Sequence, residues 1–169
     1  MRQVIVLAAF AVALVGVAGC GGTTVGRASP VVRTSPPTSS STRDGLPVNQ
    51  ACSLLSSADF QQLGASSPPS QEMVGTAHAC EFNSDEFALG VAIRTNVGLA
   101  GFVPLERAVH DTTIGRHQAR EETSDGYSCD IAIGVSASSR VDIDVSGDGT
   151  TNPCPTALTL ARMVERRLP

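Results

Sequence analysis

The sequence predicts an α+β domain, an antiparallel β-meander packed with a short N-terminal helix and a C-terminal helix and stapled by two disulfides. Three observations carry this expectation. Apolar residues alternate with small or polar ones at period two in several segments between residues 87 and 145, which is the mark of strands with one buried face. Helix start and stop signals stand on either side of those segments. Four cysteines, at 52, 80, 129 and 154, fall in the same part of the chain.

The chain begins with segments that do not belong to this domain. Met1-Arg2-Gln3 supplies one positive charge, and the fourteen residues from Val4 to Val17 form an apolar run. A helical span of a bilayer takes roughly 20 residues, so residues 1–19 read as a signal peptide. Val17-Ala18-Gly19-Cys20 resembles the lipobox of bacterial lipoproteins. In that motif cleavage falls between Gly19 and Cys20, and the Cys20 thiol carries a diacylglycerol. Several acyl chains on one residue hold a protein to a membrane where a single chain binds only reversibly.

Residues 20–48 then read as a lipidated cysteine followed by a disordered tether. The 28 residues from Gly21 to Val48 contain ten Ser/Thr, four Pro and four Gly, with no aromatic residue. Such a composition buries too little apolar surface to offset its ordering entropy. Fully extended in polyproline II form it would reach up to ~85 Å. Residues 49–169 form the single folded domain, with 8 arginines against 15 acids.

Within that domain Ser56 and Asp59 form a capping-box start, Phe60 and Leu63 supply apolar contacts, and Gly64 stands where a short helix would stop. Strands follow at Phe87–Ile93, at 109–114 and 117–122 about the turn Ile114-Gly115-Arg116, at 131–135 and at 141–145. Asn83-Ser84-Asp85-Glu86 and Ser136–Arg140 read as hairpin turns. The segment from Leu99 to His110 holds Gly101 and Pro104, which argue against a long helix. At the C-terminal end Asn152 can cap, Pro153 suits a first helical turn, and Ala157, Leu160, Ala161, Val164 and Leu168 recur on one helical face. Arg162, Arg166 and Arg167 then lie where the helix dipole favours cations.

With Cys20 assigned to lipid, an even number of cysteines remains, which in an exported chain points to disulfides rather than metal ligands. Four cysteines allow three connectivities. The expected one is Cys52–Cys80 with Cys129–Cys154, each closing a loop that contributes ~3 to 4 kcal/mol by loop entropy.

Several short segments together resemble an uncharacterised family of actinobacterial, including mycobacterial, lipoproteins. They are the lipobox at Val17–Cys20, Ala51-Cys52-Ser53-Leu54-Leu55 with Ala58-Asp59-Phe60 and Leu63-Gly64, Ala79-Cys80-Glu81-Phe82, Gly115-Arg116, Ser128-Cys129-Asp130-Ile131, and Pro153-Cys154. Phe82 stands where that family commonly has tryptophan. The resemblance implies a two-disulfide α+β domain on the outer face of the cytoplasmic membrane and implies no reaction. A looser likeness in layout, to cysteine-bridged extracellular sensor domains of mycobacterial kinases, suggests binding by analogy.

Composition narrows the function further. All 12 basic residues are arginine and the net charge is −4, which disfavours a nucleic-acid binder, since phosphate recognition needs a clustered positive surface. Aromatic residues make up only 4% of the chain, so stacking platforms are scarce. Asp142, Asp144 and Asp148 match the first half of a calcium loop, but position twelve of that frame is Pro153 instead of glutamate. Asp142 and Asp144 read more simply as the solvent face of a strand. His78, His110 and His117 form no ligand motif and read as surface or strand-face residues. Gly134-Val135-Ser136-Ala137-Ser138 lacks the last glycine of a nucleophile elbow, and the pairs Glu121-Glu122 and Asp85-Glu86 point their side chains apart on a strand or turn. The expected function is thus a membrane-anchored binding or interaction module for an envelope protein or small ligand. No catalytic residues, metal or cofactor are assigned; the alternative is an envelope hydrolase with a site assembled from distant residues.

Overall fold

The structure is a computed structural model that describes residues 42–104, 108–124 and 126–169. The signal peptide, Cys20 and residues 21–41 of the expected tether lie outside them. Among the described residues no helix is long and apolar enough to cross a membrane.

The chain forms a hairpin of β1 (Thr42–Arg43) and β2 (Leu46–Pro47), a 3₁₀ turn at Ala51–Leu54 and helix α1 (Ser57–Gln62). Then come β3 (Ser70–Val74), β4 (Ala77–Asn83) and β5 (Ala88–Arg94). A second 3₁₀ turn at Leu99–Gly101 leads towards β6 (Val109–Ile114), β7 (His117–Ser124), β8 (Ser128–Gly134) and β9 (Arg140–Ser146), and helix α2 (Cys154–Glu165) ends the fold.

Strands β3 to β9 make one seven-stranded antiparallel sheet, in the order β3-β4-β5-β9-β8-β7-β6. A single meander would have set β6 beside β5. Instead two meanders, β3-β4-β5 and β6-β7-β8-β9, join along β5 and β9. The apolar pattern explains the choice. Pairing β5 with β9 sets Leu89 opposite Val145, Val91 opposite Ile143 and Ile93 opposite Val141, all at most 2% exposed. Strand β6, with His110, Asp111, Thr112 and Thr113, is too polar for a central place and lies at an edge.

One face of the sheet carries the helices. Ala157, Leu160, Ala161 and Val164 of α2 are fully buried against β8 and β9. The spacing read from the sequence is the spacing that packs. Pro153 sits at the helix cap, and the Asn152 side chain accepts the Cys154 amide at 3.0 Å. Two disulfides fasten this layer: Cys129–Cys154 ties β8 to the start of α2, and Cys52–Cys80 ties the first 3₁₀ turn to β4. Helix α1 has the full capping box between Ser56 and Asp59, and Phe60 meets Phe82 of β4 edge to face with centroids 5.0 Å apart.

The fold begins earlier than the composition suggested. Thr42–Pro47 is a hairpin rather than part of a tether, and Leu46 is fully buried in the core. Asp44 and Gly45, both at positive φ (53° and 78°), make the two-residue turn. A single buried leucine in a Ser/Thr/Pro-rich run leaves no periodic trace.

Candidate functional site

Because the helices cover one face, every second residue of the sheet points to the other. On that face β5 presents Ala88, Gly90 and Ala92, which offer at most a methyl group, while Glu81 of β4 and Asp142 and Asp144 of β9 rise beside it. The result is a trough of about 630 Å³. Its floor is β5, one wall includes Ser70, Glu72 and Val74 of β3, and Phe102 and Val103 border it from the segment after the second 3₁₀ turn. Gly90 is small here without steric need. An added Cβ would meet only Asp144 atoms at ordinary contact distances of 3.8 and 3.9 Å.

The charges in the trough are ordered by register. Glu81, Gly90, Asp144, Asp130 and Glu122 stand side by side across β4, β5, β9, β8 and β7. This is a carboxylate row crossing the strands, broken at β5 by glycine. Asp130 and Glu122 take part in further interactions, whereas Glu81 and Asp144 have neither an ion-pair nor a hydrogen-bond partner among the described side chains. Glu122 is 2% exposed. Its sequence neighbour Glu121 points to the opposite face, near the Cys129 sulfur.

Further along β5 the chemistry changes. Arg94 and the buried Arg140 both bind Asp142, Arg140 through Nε at 2.6 Å and Nη2 at 3.2 Å. The Arg140 guanidinium also donates to the Gly98 carbonyl and lies 5.6 Å from the centre of the Phe102 ring. It thereby anchors the segment that edges the trough. Val74 and Val103 are 44% and 78% exposed at this end. The trough thus carries the carboxylate row at one end and, at the other, Val74, Phe102 and Val103 beside the Arg94–Asp142–Arg140 cluster.

The calcium frame read from the sequence is divided among other partners. Both oxygens of Asp142 are engaged by arginine, Asp148 accepts the Thr150 amide and hydroxyl, and Asp144 alone faces the trough without a partner. The Thr150 bonds hold the Asp148 carboxyl below the ordinary carboxylate range. Among the described residues one cluster has metal-ligand atom types, Glu121 with Cys129 and Cys154, but both sulfurs belong to the disulfide.

Ser136 bonds to Asp44, Ser138 and Ser139, with no histidine among its partners. The Ser136 hydroxyl heads the interactions that hold the Asp44 carboxyl below its ordinary range. His117 is a strand-face residue, the first of β7, and it is buried. It is 8% exposed, with Nδ1 at 3.0 Å from Glu165 and Nε2 at 3.2 Å from the Pro169 carbonyl oxygen, fastening the end of the chain to β7.

Asp142 and Asp144 were thus visible in the sequence as strand-face acids, but the arginines that hold Asp142 were not. Gly90, Arg94, Arg140 and Phe102 carried no motif. Only the alternation of β5 into small residues hinted at them. Helices, disulfides and the first hairpin on one side, and an open, acid-lined trough on the other, define a small disulfide-stapled α+β domain built on one antiparallel sheet. The chain belongs to the DUF3558 family, described as proteins of unknown function, whose model matches residues 15–167. No curated protein and no solved structure matches the chain.

Proposed function

We propose that this protein is an extracytoplasmic lipoprotein, held to the membrane by acyl chains on Cys20, whose domain binds a small envelope ligand in the trough. One observation carries the binding reading: a concavity of about 630 Å³ floored by Ala88, Gly90 and Ala92. That volume is in the range of small-molecule sites. A glycine that the backbone does not require keeps it open. Support for the anchor comes from Val17-Ala18-Gly19-Cys20 after an apolar run.

Two measurements test the proposal. The full chain, extracted gently from the membranes in which it is made, is weighed by native mass spectrometry. A non-covalent mass carried by the wild type and missing from Gly90→Leu is expected, and identical spectra overturn the binding reading. Cys20→Ser is expected to move from the membrane to the soluble fraction and to lose acyl label. Full retention of both overturns the anchor.

A further inference from the structure

We infer that the occupant of the trough is a cationic amphiphile, with an ammonium or guanidinium head in the carboxylate row and an apolar body running towards Val74, Phe102 and Val103. The inference rests on the trough being the ligand site and names the chemistry of its ligand.

The charge balance sets the sign of the head. Of the carboxylates that line the trough among the described residues, Asp142 is held by Arg94 and Arg140, Glu72 accepts the Ser70 hydroxyl, and Glu122 and Asp130 take part in other interactions, so Glu81 and Asp144 are the two that face it uncompensated. Both guanidiniums share Asp142, so the positive charge of the site is held at one carboxylate and away from the row.

Geometry sets the seat. Gly90 lies between Glu81 and Asp144, so these two side chains flank a gap two strand spacings wide, roughly 10 Å between backbones. Into that gap β5 itself projects no side chain. A cationic head placed there meets Glu81 on one side and Asp144 on the other, neither of which has an ion-pair partner among the described residues.

The exposed apolar side chains set the rest of the molecule. Of four large hydrophobic side chains exposed among the described residues, two, Val74 and Val103, border this trough, and Phe102 stands beside them. From Gly90 to Arg94 along β5 is about 13 Å at the rise of a strand, a span for a medium alkyl chain. Ala92 lies on the way and leaves the floor free. A ligand with its charge at one end and its apolar part at the other matches both ends together.

The test uses the full chain held in neutral maltoside micelles, titrated with dodecyltrimethylammonium or with dodecyl sulfate at concentrations that leave the fold intact, and read by native mass spectrometry. One ammonium amphiphile per chain is expected. Its affinity falls about tenfold in Asp144→Asn and in Glu81→Gln and weakens with added salt. It is lost in Gly90→Leu and in Ala92→Leu, two fillings of the floor that guard against one misfolded variant, and kept in Glu86→Gln, an acid on an exposed turn. Sulfate binding equal to ammonium binding, or ammonium binding indifferent to Asp144 and Glu81, overturns the inference. If the ligand mass of the native protein still disappears in Gly90→Leu, the trough remains the binding site and only its ligand class was misjudged. Ammonium binding unchanged by both fillings shows adhesion elsewhere and also overturns the inference.

Discussion

At the residue scale, Asp59 does the work of several groups. It accepts the Ser56 backbone amide at 2.8 Å and the Ser56 hydroxyl at 2.7 Å while its own amide donates back to Ser56. Its second role is to receive Arg167 of the C-terminal segment at 2.7 Å, with Arg166 at 3.6 Å. The arginines near the end of α2 therefore dock it against α1, beyond any favourable position in the helix dipole. Removing a buried carboxylate that satisfies a cap and an arginine together is expected to cost about 2 to 3 kcal/mol in Asp59→Ala. Arg167→Ala, which leaves the capping box intact, should cost about half as much; urea unfolding of both variants measures the difference. Burial pushes the Asp59 carboxyl up, but the Ser56 bonds and Arg167 outweigh it and hold the group below its ordinary range. Glu165 is held low too, first by the Arg116 amide and, against the opposing effect of burial, by His117. Both acids are thus more readily protonated in the unfolded chain than in the folded one. The stability they add is complete above about pH 4.5 and is lost as the pH falls through their folded values. The urea midpoint of the wild type should therefore decline below that pH more steeply than that of Asp59→Asn/Glu165→Gln. Parallel declines would remove these two acids from the account of acid unfolding.

At the scale of elements, Leu46 decides where the domain starts. Its side chain is fully buried in the core, and its hairpin turn also touches the chain end, since an added Cβ on Gly45 would come within 2.9 Å of Pro169. Leu46→Ala is expected to destabilise by about 2 to 4 kcal/mol, as a core leucine does. A loss below about 0.5 kcal/mol, the scale of a surface change, would return residues 42–48 to the tether. The same hairpin shows how far the sequence can be read. Asp44-Gly45 is a strong turn signal, but strands of two residues on either side are too short to alternate. Strands β5, β8 and β9 were legible because their large apolar residues fall on one face; β6 and β7 were legible through the Gly115 turn. Strand β3 was not, since all five of its residues are exposed and Ser-Gln-Glu-Met-Val has no period. The trough was illegible for a different reason. Gly90 acquires meaning only when Glu81 and Asp144 are known to flank it, and that register joins residues from three strands, one of them more than 50 positions away.

At the scale of the whole molecule, the order of the strands places the trough floor on the most stable part of the sheet. Strands β5, β9 and β8 lie at the centre, paired on both sides and backed by α2 or by the stapled 3₁₀ turn. The walls are drawn from weaker parts, the exposed edge strand β3 and the segment after Leu99–Gly101. Opening free energies follow such differences in pairing and burial. A trough built this way has a preformed floor and adjustable sides, so the ligand proposed for it is expected to order the walls and leave the floor unchanged. Hydrogen exchange on the full chain checks this residue by residue. The amides of Val91, Ile131 and Ile143 should exchange slowest, at rates set by global unfolding, and those of Ser70–Val74 should be among the fastest in the sheet. Adding dodecyltrimethylammonium should slow exchange in β3 and around Phe102 by several-fold and leave the central strands as they were. If β3 is already as protected as β5 in the free protein, its edge is covered by something other than solvent and the wall is not free to adjust. If protection rises uniformly across the sheet, the amphiphile stabilises the fold as a whole rather than closing the sides of a formed trough.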